Sequence, residues 1–509
     1  MKYSFLIFLS LIFPTISLSA DVFKSETFTE VRIDSVGKED IRRLIRSGVN
    51  ITGVRGNSVS ADISSEQFEE LRDMGYDPKL IPDRVRLKPE LRSGYHTHSQ
   101  LTADLKALES AYPDICRLHN IGESYEGREL WFMQISDNVN TEEDEPEFKY
   151  ISTMHGNEPL GMELCLKLIH LLAENYGSDE RITNLVAETE IWIMPLMNPD
   201  GYVKNERRNA QGSDLNRTFP DQFTDPYNIP EGHPVEVQRV MNWAFNHSSV
   251  LSANFHTGDL LINYPYDSNS EDANIYTASP DDDLFVQLAQ TYASNNPDMR
   301  DNPDAVTNGA AWYTINGGMQ DWNYVWMGCN EVTIELSNTF WPAFSEIANL
   351  WDDNREAMLA YMEWSLRGAR GLITDATTGK PLNASIEVIG IDHKVYTDPD
   401  VGDYHRILVP GIYDLRFSAQ GYYSEIIPDI SVSQGNAARL DVSLIPQIPG
   451  DIDTDRKITL SDLILALKIA VGEDISPTVS QSADVNGDKR IGIEDAVYIL
   501  NEIRKNYEL

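Results

Sequence analysis

The chain has 509 residues, of which 41% are hydrophobic and 24% charged, and its formal net charge at pH 7 is -39. This length and apolar content predict several domains with buried cores and exclude a disordered protein. The negative charge disfavours nucleic acid and anionic membranes as partners and favours cationic peptides, although a solvated acidic surface alone would also account for most of it. Three cysteines, Cys116, Cys165 and Cys329, allow at most one disulfide, and none is predicted.

The first twenty residues have the pattern of a signal peptide. Lys2 is followed by an apolar run over 5–16 and by small residues at 17–20. This run is shorter than the roughly 20 apolar residues of a membrane span. We therefore expect residues 1–20 to be a signal peptide, the protein to be secreted to the extracellular space, and no segment to span a membrane.

Residues 21–92 alternate short β patterns with amphipathic helical ones and end in a proline-containing linker over 83–92. This alternation predicts a small α+β unit. Two interpretations remain open for it: a removable pro-segment that shields an active site, or a structural N-terminal domain.

Three further segments follow in the chain. Residues 93–367 alternate apolar strand-like runs with helical ones, which predicts an α/β domain around a largely buried sheet. Residues 368–446 are rich in short β-branched strands separated by turns, which is typical of a β-sandwich. Residues 447–509 contain two similar halves, each with an apolar helical stretch. The predicted fold class is therefore α/β: a mixed-sheet domain with a small N-terminal α+β unit, a β-sandwich and a C-terminal α-helical module.

Two histidines close predicted strands of the α/β domain. His155 follows the strand over 148–154 and is followed by Glu158, and His256 closes the strand over 250–255. Ligands bind at the carboxyl ends of strands in open α/β sheets. Two imidazoles and a carboxylate with one open position make the ligand set of a catalytic zinc. A hydrogen-bonded structural histidine is the alternative at either position.

A third predicted strand of the α/β domain carries a carboxylate between apolar residues. Val332, Ile334 and Leu336 share one face of this strand, and Glu335 lies on the other. A carboxylate in a buried strand is unfavourable unless something compensates it. It is either a general base beside a metal site or one half of a structural ion pair.

These residues belong to a series of motifs that resembles the zinc metallocarboxypeptidase family, and more narrowly its carboxypeptidase N/E branch. The resemblance covers residues 95–446, because that branch carries a transthyretin-like β-sandwich after its catalytic domain. The motifs are His155-Gly-Asn-Glu158, Asn198-Pro-Asp-Gly-Tyr202, the run from Arg207 to Arg217, His256, Tyr264-Pro-Tyr-Asp267, Asn308-Gly-Ala-Ala-Trp-Tyr313 and Gly317-Gly-Met-Gln-Asp-Trp-Asn-Tyr324.

The resemblance implies that residues 93–367 form a zinc carboxypeptidase domain and 368–446 a transthyretin-like domain. It further implies one catalytic Zn²⁺ and a set of residues around it. Their implied roles are zinc binding by His155, Glu158 and His256, general base and acid by Glu335, oxyanion binding by Arg207, binding of the substrate's terminal carboxylate by Asn216, Arg217 and Tyr313, and orientation of the His155 ring by Asp214. The neighbouring Arg208 is an alternative to Arg207.

Two positions bear on which terminal residue is removed. In the N/E branch the residue matching Asp267 pairs with a terminal Lys or Arg side chain, and the residue matching Gln320 forms a polar pocket floor. An apolar terminal residue would leave the Asp267 carboxylate desolvated and unpaired. The predicted function is hydrolysis of the C-terminal bond of peptides or proteins with release of Lys or Arg. Alternatives are apolar or cell-wall peptide specificity on the same fold, or a non-catalytic surface-attachment protein.

In each half of 447–509, oxygen-bearing side chains stand at positions 1, 3, 5 and 12 of a loop. That spacing suits calcium. Arg456 and Lys489 stand where an EF-hand usually has glycine. The tandem loops resemble a dockerin domain over 447–509, which implies structural Ca²⁺ and a cohesin-like partner, and an acidic solvated tail is the alternative. The predicted calcium ligands are Asp451, Asp453, Asp455, Asp462, Asp484, Asn486, Asp488 and Asp495.

Overall fold

The computed structural model describes residues 28–81, 93–271, 273–473 and 484–507. The predicted signal peptide and the linker over 83–92 lie outside these residues. Among the helices that are described, none combines the length and the apolar character needed to cross a membrane.

The N-terminal unit, residues 28–81, is a four-stranded antiparallel sheet in the order β2-β3-β1-β4 with two helices against it. Its second helix begins after Ser64, whose hydroxyl accepts the backbone N–H of Gln67 and caps the helix. The sequence predicts strands over 31–34 and 58–63 and helices over 39–46 and 65–74, which correspond to β1, β3, α1 and α2, but it does not predict β2 or β4. The elements are β1 Phe28–Asp34, α1 Lys38–Arg46, β2 Asn50–Arg55, β3 Ser58–Ser64, α2 Ser65–Asp73 and β4 Lys79–Leu80.

The main domain is built on an eight-stranded mixed sheet in the order β11-β10-β12-β9-β7-β8-β6-β5. The four central strands β12, β9, β7 and β8 run parallel; β10 is antiparallel to β12 at one side of them, and β6 is antiparallel to β8 at the other. The predicted mixed-sheet α/β fold is confirmed. The strands are β5 Cys116–Glu123, β6 Glu129–Ile135, β7 Glu147–Ser152, β8 Glu190–Met194, β9 Leu251–His256, β10 Leu260–Tyr264, β11 Val306–Asn308 and β12 Asn330–Leu336.

Helices cover both faces of this sheet. Apolar side chains of α3, α4, α5, α8 and α11 pack on one face, and those of α7 and α10 on the other. The three cysteines are buried in this domain and unbridged. The helices are α3 His98–Ala111, α4 Leu160–Asn175, α5 Glu180–Ala187, α6 Pro199–Lys204, α7 Val235–Ala244, α8 Asp282–Asn295, α9 Gly309–Trp312, α10 Met319–Met327 and α11 Ile347–Met362, with 3₁₀ turns Leu215–Arg217, Phe344–Glu346 and Glu363–Leu366.

The β-rich domain that follows has two facing sheets, β15-β14-β17-β18 and β16-β13-β19 with β20 beside β13. Apolar side chains from both sheets form one core. The β-branched pattern over 438–444 predicts one strand, but the structure has two, because Asp441 Oδ1 accepts the backbone N–H of Leu372 in place of a main-chain carbonyl. The strands are β13 Ala369–Asp375, β14 Ala384–Val388, β15 Lys394–Tyr396, β16 Asp403–Arg406, β17 Gly411–Ala419, β18 Glu425–Val432, β19 Ala438–Arg439 and β20 Val442–Leu444.

The C-terminal segment contains two helices, α12 Leu460–Ala470 and α13 Ile493–Tyr507, which pack on each other through a small apolar core. A loop of the predicted calcium-binding spacing precedes each helix. Arg456 and Lys489 have φ values of 68° and 66°, the left-handed conformation for which glycine is usually selected.

Candidate active site

The carboxyl edge of the central parallel strands carries the predicted metal ligands. β7 ends at Ser152, and the turn after it brings His155 and Glu158 to this edge, where β9 ends at His256. Glu335 in β12 is the register partner of His256. Residues in register on adjacent parallel strands point to the same face of a sheet. Glu335 therefore lies on the same side as the histidines.

Three ligating side chains meet at this edge. His155 Nδ1 lies 3.0 Å from Glu158 Oε1, and His256 Nδ1 lies 2.9 Å from both Glu158 Oε2 and His155 Nδ1. Burial lowers the pKa of His256 to about 4, so that its imidazole is neutral at physiological pH. Two imidazoles and a carboxylate converging on one point fit a single Zn²⁺.

Asp214 lies behind the His155 ring, as predicted. Its Oδ1 is 2.9 Å from His155 Nε2 and also accepts the backbone N–H of Asn216 at 3.0 Å. A carboxylate in this position holds the ring proton on Nε2 and leaves Nδ1 free to face the other two ligands. Burial alone would raise the pKa of Asp214, but the Arg207 guanidinium and the His155 ring lower it well below its usual range.

Arg207, and not Arg208, reaches the metal site. Arg207 Nη1 donates to Glu158 Oε1 at 3.1 Å, and its Nε donates to Asp214 Oδ2 at 2.8 Å. Arg208 points to the N-terminal unit, where its Nε donates to Asp62 Oδ2 at 2.8 Å. The two neighbouring side chains leave the backbone in different directions, which the sequence could not distinguish.

Glu335 is 7% exposed and lines a cavity together with His155 and Arg207. Among the described residues, its Oε2 has no hydrogen-bond partner, which is not the arrangement of a structural ion pair. Burial and the nearby carboxylate of Glu158 raise the pKa of Glu335 well above its usual value. The side chain is thus suited to accept and hold a proton.

The three residues implied in carboxylate binding line the same cavity. Asn216 Oδ1 accepts the backbone N–H of Met319 at 3.0 Å, which fixes the amide. Arg217 Nη1 donates to the carbonyl of Asn216 at 2.8 Å, and Tyr313 is 4% exposed. One guanidinium, one amide and one phenol around a small cavity can bind a carboxylate.

Asp267 also lines this cavity and is 2% exposed. Within the part of the chain that is described, its Oδ1 has no hydrogen-bond partner and no arginine or lysine pairs with it. Gln320 Nε2 donates to Asn263 Oδ1 at 2.9 Å, while its Oε1 is unpartnered among the described residues. A Cβ at Gly309 would lie 1.7 Å from Asp267 Oδ1, so only glycine leaves room for this carboxylate.

Strand β2, which no pattern in the sequence predicted, lies across this cavity. Arg217 Nη2 donates to the carbonyl of Ile51 at 2.8 Å, and Asn50 Nδ2 donates to Asp214 Oδ2 at 2.9 Å. Thr52 lines the cavity itself, whose volume of about 10 Å³ is the space of about one water. No local pattern in the sequence marks a strand as one that contacts a distant site.

The two loops predicted to bind calcium differ from each other. Ligand oxygens of Asp451, Asp453 and Asp462 lie within 4.8 Å of one another, and Asp451 is fully buried with Oδ1 unpartnered among the described residues. Asp455 is outside this group. No such group is found among the described residues of the second loop, where Asp484, Asn486, Asp488 and Asp495 accept backbone N–H groups.

Comparison with known proteins agrees with the main α/β domain and with the β-rich domain that follows it. A sequence profile for zinc carboxypeptidases matches residues 101–357, and one for a carboxypeptidase regulatory-like domain matches residues 368–445. The chain is 41% identical over 374 residues to human carboxypeptidase D, covering 69% of this chain and 27% of that protein. It thus spans about a quarter of the length of the carboxypeptidase D relatives it matches.

Shorter relatives are covered more fully. Carboxypeptidase SOL1 of Arabidopsis thaliana is 39% identical, with 70% of this chain and 74% of that one aligned. The human carboxypeptidase N catalytic chain is 37% identical, with 70% and 86% aligned. The crystal structure of carboxypeptidase A from Helicoverpa armigera has the same fold, with a TM-score of 0.54 and 18% identity over 66% of this chain and 97% of that one. The chain belongs to the zinc carboxypeptidase family.

Proposed function

We propose that the chain is a zinc-dependent exopeptidase that hydrolyses the C-terminal bond of peptides or proteins and releases Lys or Arg. A zinc ion held by His155, Glu158 and His256 would supply Lewis acidity toward the scissile carbonyl and toward water. The unpartnered Oε2 of Glu335 takes the proton of the attacking water and delivers it to the leaving amine. The Arg207 guanidinium donates to the oxygen on which negative charge develops.

The remaining cavity residues position the substrate. Asn216, Arg217 and Tyr313 bind its terminal carboxylate, and Asp267 binds its terminal side chain. The observation that carries basic specificity is the buried Asp267 carboxylate: its Oδ1 has no hydrogen-bond partner among the described residues, and it forms no ion pair with a described Lys or Arg, although the Arg217 guanidinium lies near enough to lower its pKa. A terminal Lys or Arg supplies that partner, whereas an apolar side chain leaves the carboxylate desolvated and unpaired.

The residues released by the zinc-loaded protein test this function. We expect peptides ending in Arg or Lys to lose that residue much faster than the same peptides ending in Phe or Ala, and a zinc chelator to abolish the activity reversibly. Preference for Phe would establish apolar specificity instead. Absence of any released residue would favour the surface-attachment alternative.

The N-terminal unit is proposed to shield the active site rather than to serve only as a structural domain. Its β2 carbonyl at Ile51 binds the Arg217 guanidinium, the group that the substrate carboxylate needs. Trp312 Nε1 donates to the carbonyl of Val54 at 3.0 Å, and Tyr313 packs into the core of the unit. A peptide C-terminus therefore has neither a free guanidinium nor enough volume while the unit is docked.

Charge reversal at the edge of this contact tests the shielding. Arg55 Nε lies 3.0 Å from Asp259 Oδ1, and Asp62 binds Arg208, so Arg55→Glu with Asp62→Lys should undock the unit. We expect hydrolysis of a C-terminal Arg peptide to rise at least about tenfold and zinc extraction by a chelator to become faster. Glu69→Lys with Arg72→Glu, on the exposed side of the unit, is the matched control. Unchanged hydrolysis and unchanged zinc extraction would refute the shielding.

The C-terminal segment is proposed to bind Ca²⁺ as a dockerin-like module, with a cohesin-like partner. The clustered oxygens of Asp451, Asp453 and Asp462 and the unpartnered Asp451 Oδ1 support calcium in the first loop. We expect calcium to raise the melting temperature of the α12–α13 segment and Asp462→Ala to remove that effect. No change with calcium would favour a solvated tail without a metal.

Export is proposed from the signal-peptide pattern of residues 1–20. We expect the protein in the culture medium to begin near Asp21. Retention of the whole chain inside the cell with an intact N-terminus would contradict this.

A further inference from the structure

Asp321, one position after Gln320 in α10, makes an unusual set of contacts with the loop that carries Asp267. The backbone N–H of Asp267 lies 3.0 Å from Asp321 Oδ1 and 2.9 Å from Oδ2. The next residue, Ser268, donates its backbone N–H at 3.1 Å and its hydroxyl at 3.2 Å to Asp321 Oδ2. One side chain thus binds every donor of two successive loop residues.

These contacts place the carboxylate of Asp321 behind that of Asp267, on the side away from the cavity. Asp321 is 3% exposed and does not line the active-site cavity, whereas Asp267 does. Neither carboxylate has an arginine or lysine partner within the residues that the structure describes, and burial raises the pKa of Asp321 to about 7. Burial and the neighbouring Asp321 raise the pKa of Asp267 as well, so this pair of buried carboxyl groups binds a proton until a cation enters the cavity beside Asp267.

We propose that Asp321 is the positioning residue for terminal-residue specificity: it holds the Asp267 carboxylate in the cavity and adds its own negative charge to the attraction for a terminal Lys or Arg. This inference rests on the proposed function. Asp321 touches neither the reacting bond nor the metal ligands, so it acts on substrate binding through Asp267 and not on the chemical step.

An amide cannot replace this carboxylate. Asparagine has one acceptor oxygen, and its NH₂ group would face the N–H of Asp267 or of Ser268. Asp321→Asn therefore removes both the charge and part of the loop's hydrogen bonding while preserving side-chain volume. Ser268→Ala removes only the hydroxyl contact and keeps the charge.

The test compares two peptides that differ only in a terminal Arg or Leu, using the full chain with and without the undocking pair Arg55→Glu and Asp62→Lys. In Asp321→Asn we expect KM for the Arg peptide to rise about 10- to 100-fold, the range for loss of a charge-assisted contact. We expect kcat for that peptide and kcat/KM for the Leu peptide to stay close to wild type. Ser268→Ala should also lower the ratio of kcat/KM for the Arg peptide to kcat/KM for the Leu peptide, but by less than Asp321→Asn does.

Asp375→Asn is the matched control, because that carboxylate also holds a turn by accepting two backbone N–H groups and a hydroxyl, but in the β-rich domain. Asp375→Asn should leave the ratio of kcat/KM for the Arg and Leu peptides unchanged. If Asp321→Asn slows both peptides equally, or keeps the full Arg preference, the positioning role is wrong. A wild-type chain without Arg preference would instead overturn the proposed function together with the inference drawn from it.

Discussion

Glu335 and His256 are register partners on adjacent parallel strands, so the proposed base and a proposed metal ligand leave the same face of the sheet at the same edge. This pairing depends on strands far apart in sequence. Its consequence is that the proton acceptor lies beside the ligand cluster, with one carboxylate oxygen that has no hydrogen-bond partner among the described residues.

Glu335→Gln is expected to keep zinc and to lose turnover, because the amide cannot accept the proton of the attacking water. The expected fall in kcat is about 10²- to 10⁴-fold, measured beside zinc content by atomic absorption. Glu331→Gln is the matched control: Glu331 is buried in the same strand but is hydrogen-bonded to Ser252, Asn254 and Asn323. It should lower stability without lowering kcat. Persistent turnover in Glu335→Gln would make the assignment of the base wrong.

Arg207→Ala should lower kcat by about 10²- to 10³-fold, the range for loss of one oxyanion donor. Arg208→Ala is the comparison, since Arg208 contacts Asp62 in the N-terminal unit and not the metal ligands. It should not lower kcat, and it should favour undocking of that unit. Steady-state kinetics with a C-terminal Arg peptide measure kcat in both variants. An equal fall in kcat in Arg207→Ala and Arg208→Ala would contradict the distinction between the neighbouring arginines.

Gly309→Ala is expected to weaken the preference for terminal Arg or Lys. Its Cβ would lie 1.7 Å from Asp267 Oδ1, so the carboxylate must move. We expect the ratio of kcat/KM for Arg and Leu peptides to fall by about tenfold or more. Gly37→Ala, where the new Cβ would meet only Asp40 Oδ2 at 3.6 Å, is the control. An unchanged ratio in Gly309→Ala would show that Asp267 does not set the preference.

Stability should depend on pH through buried acids between the main and β-rich domains. Burial raises the pKa of Glu190 and of Asp403 to about 8, so the folded chain keeps protons that the unfolded chain releases. The contribution of these two acids to the free energy of unfolding should therefore fall as pH rises from about 4.5 to about 8. Thermal unfolding across that range should show a smaller slope in Glu190→Gln than in wild type or in the exposed control Glu69→Gln. An identical slope in all three would contradict this.

Much of the fold and of the site could be predicted from the sequence. Alternating hydrophobic patterns indicated the α/β domain, the β-sandwich and both C-terminal helices, because these patterns are local. The candidate ligands His155, Glu158 and His256 could be proposed because two of them follow one strand within a motif and the third ends another strand, and the strand ends of a parallel sheet converge at one edge.

Other parts of the site depend on contacts between distant segments. The choice of Arg207 over Arg208, the space at Gly309 and the contacts of Asp321 all follow from how loops of separate strands meet. None of these leaves a periodic pattern in the chain.

The sequence by itself determined which side chains can bind zinc, accept a proton and attract a cation, because these are properties of residue types at strand ends. Only the tertiary structure decided that β2 lies over the cavity and that Ile51 binds Arg217. The physical reason is that the docking of one unit on another depends on the complementarity of two surfaces, each assembled from residues far apart in the chain.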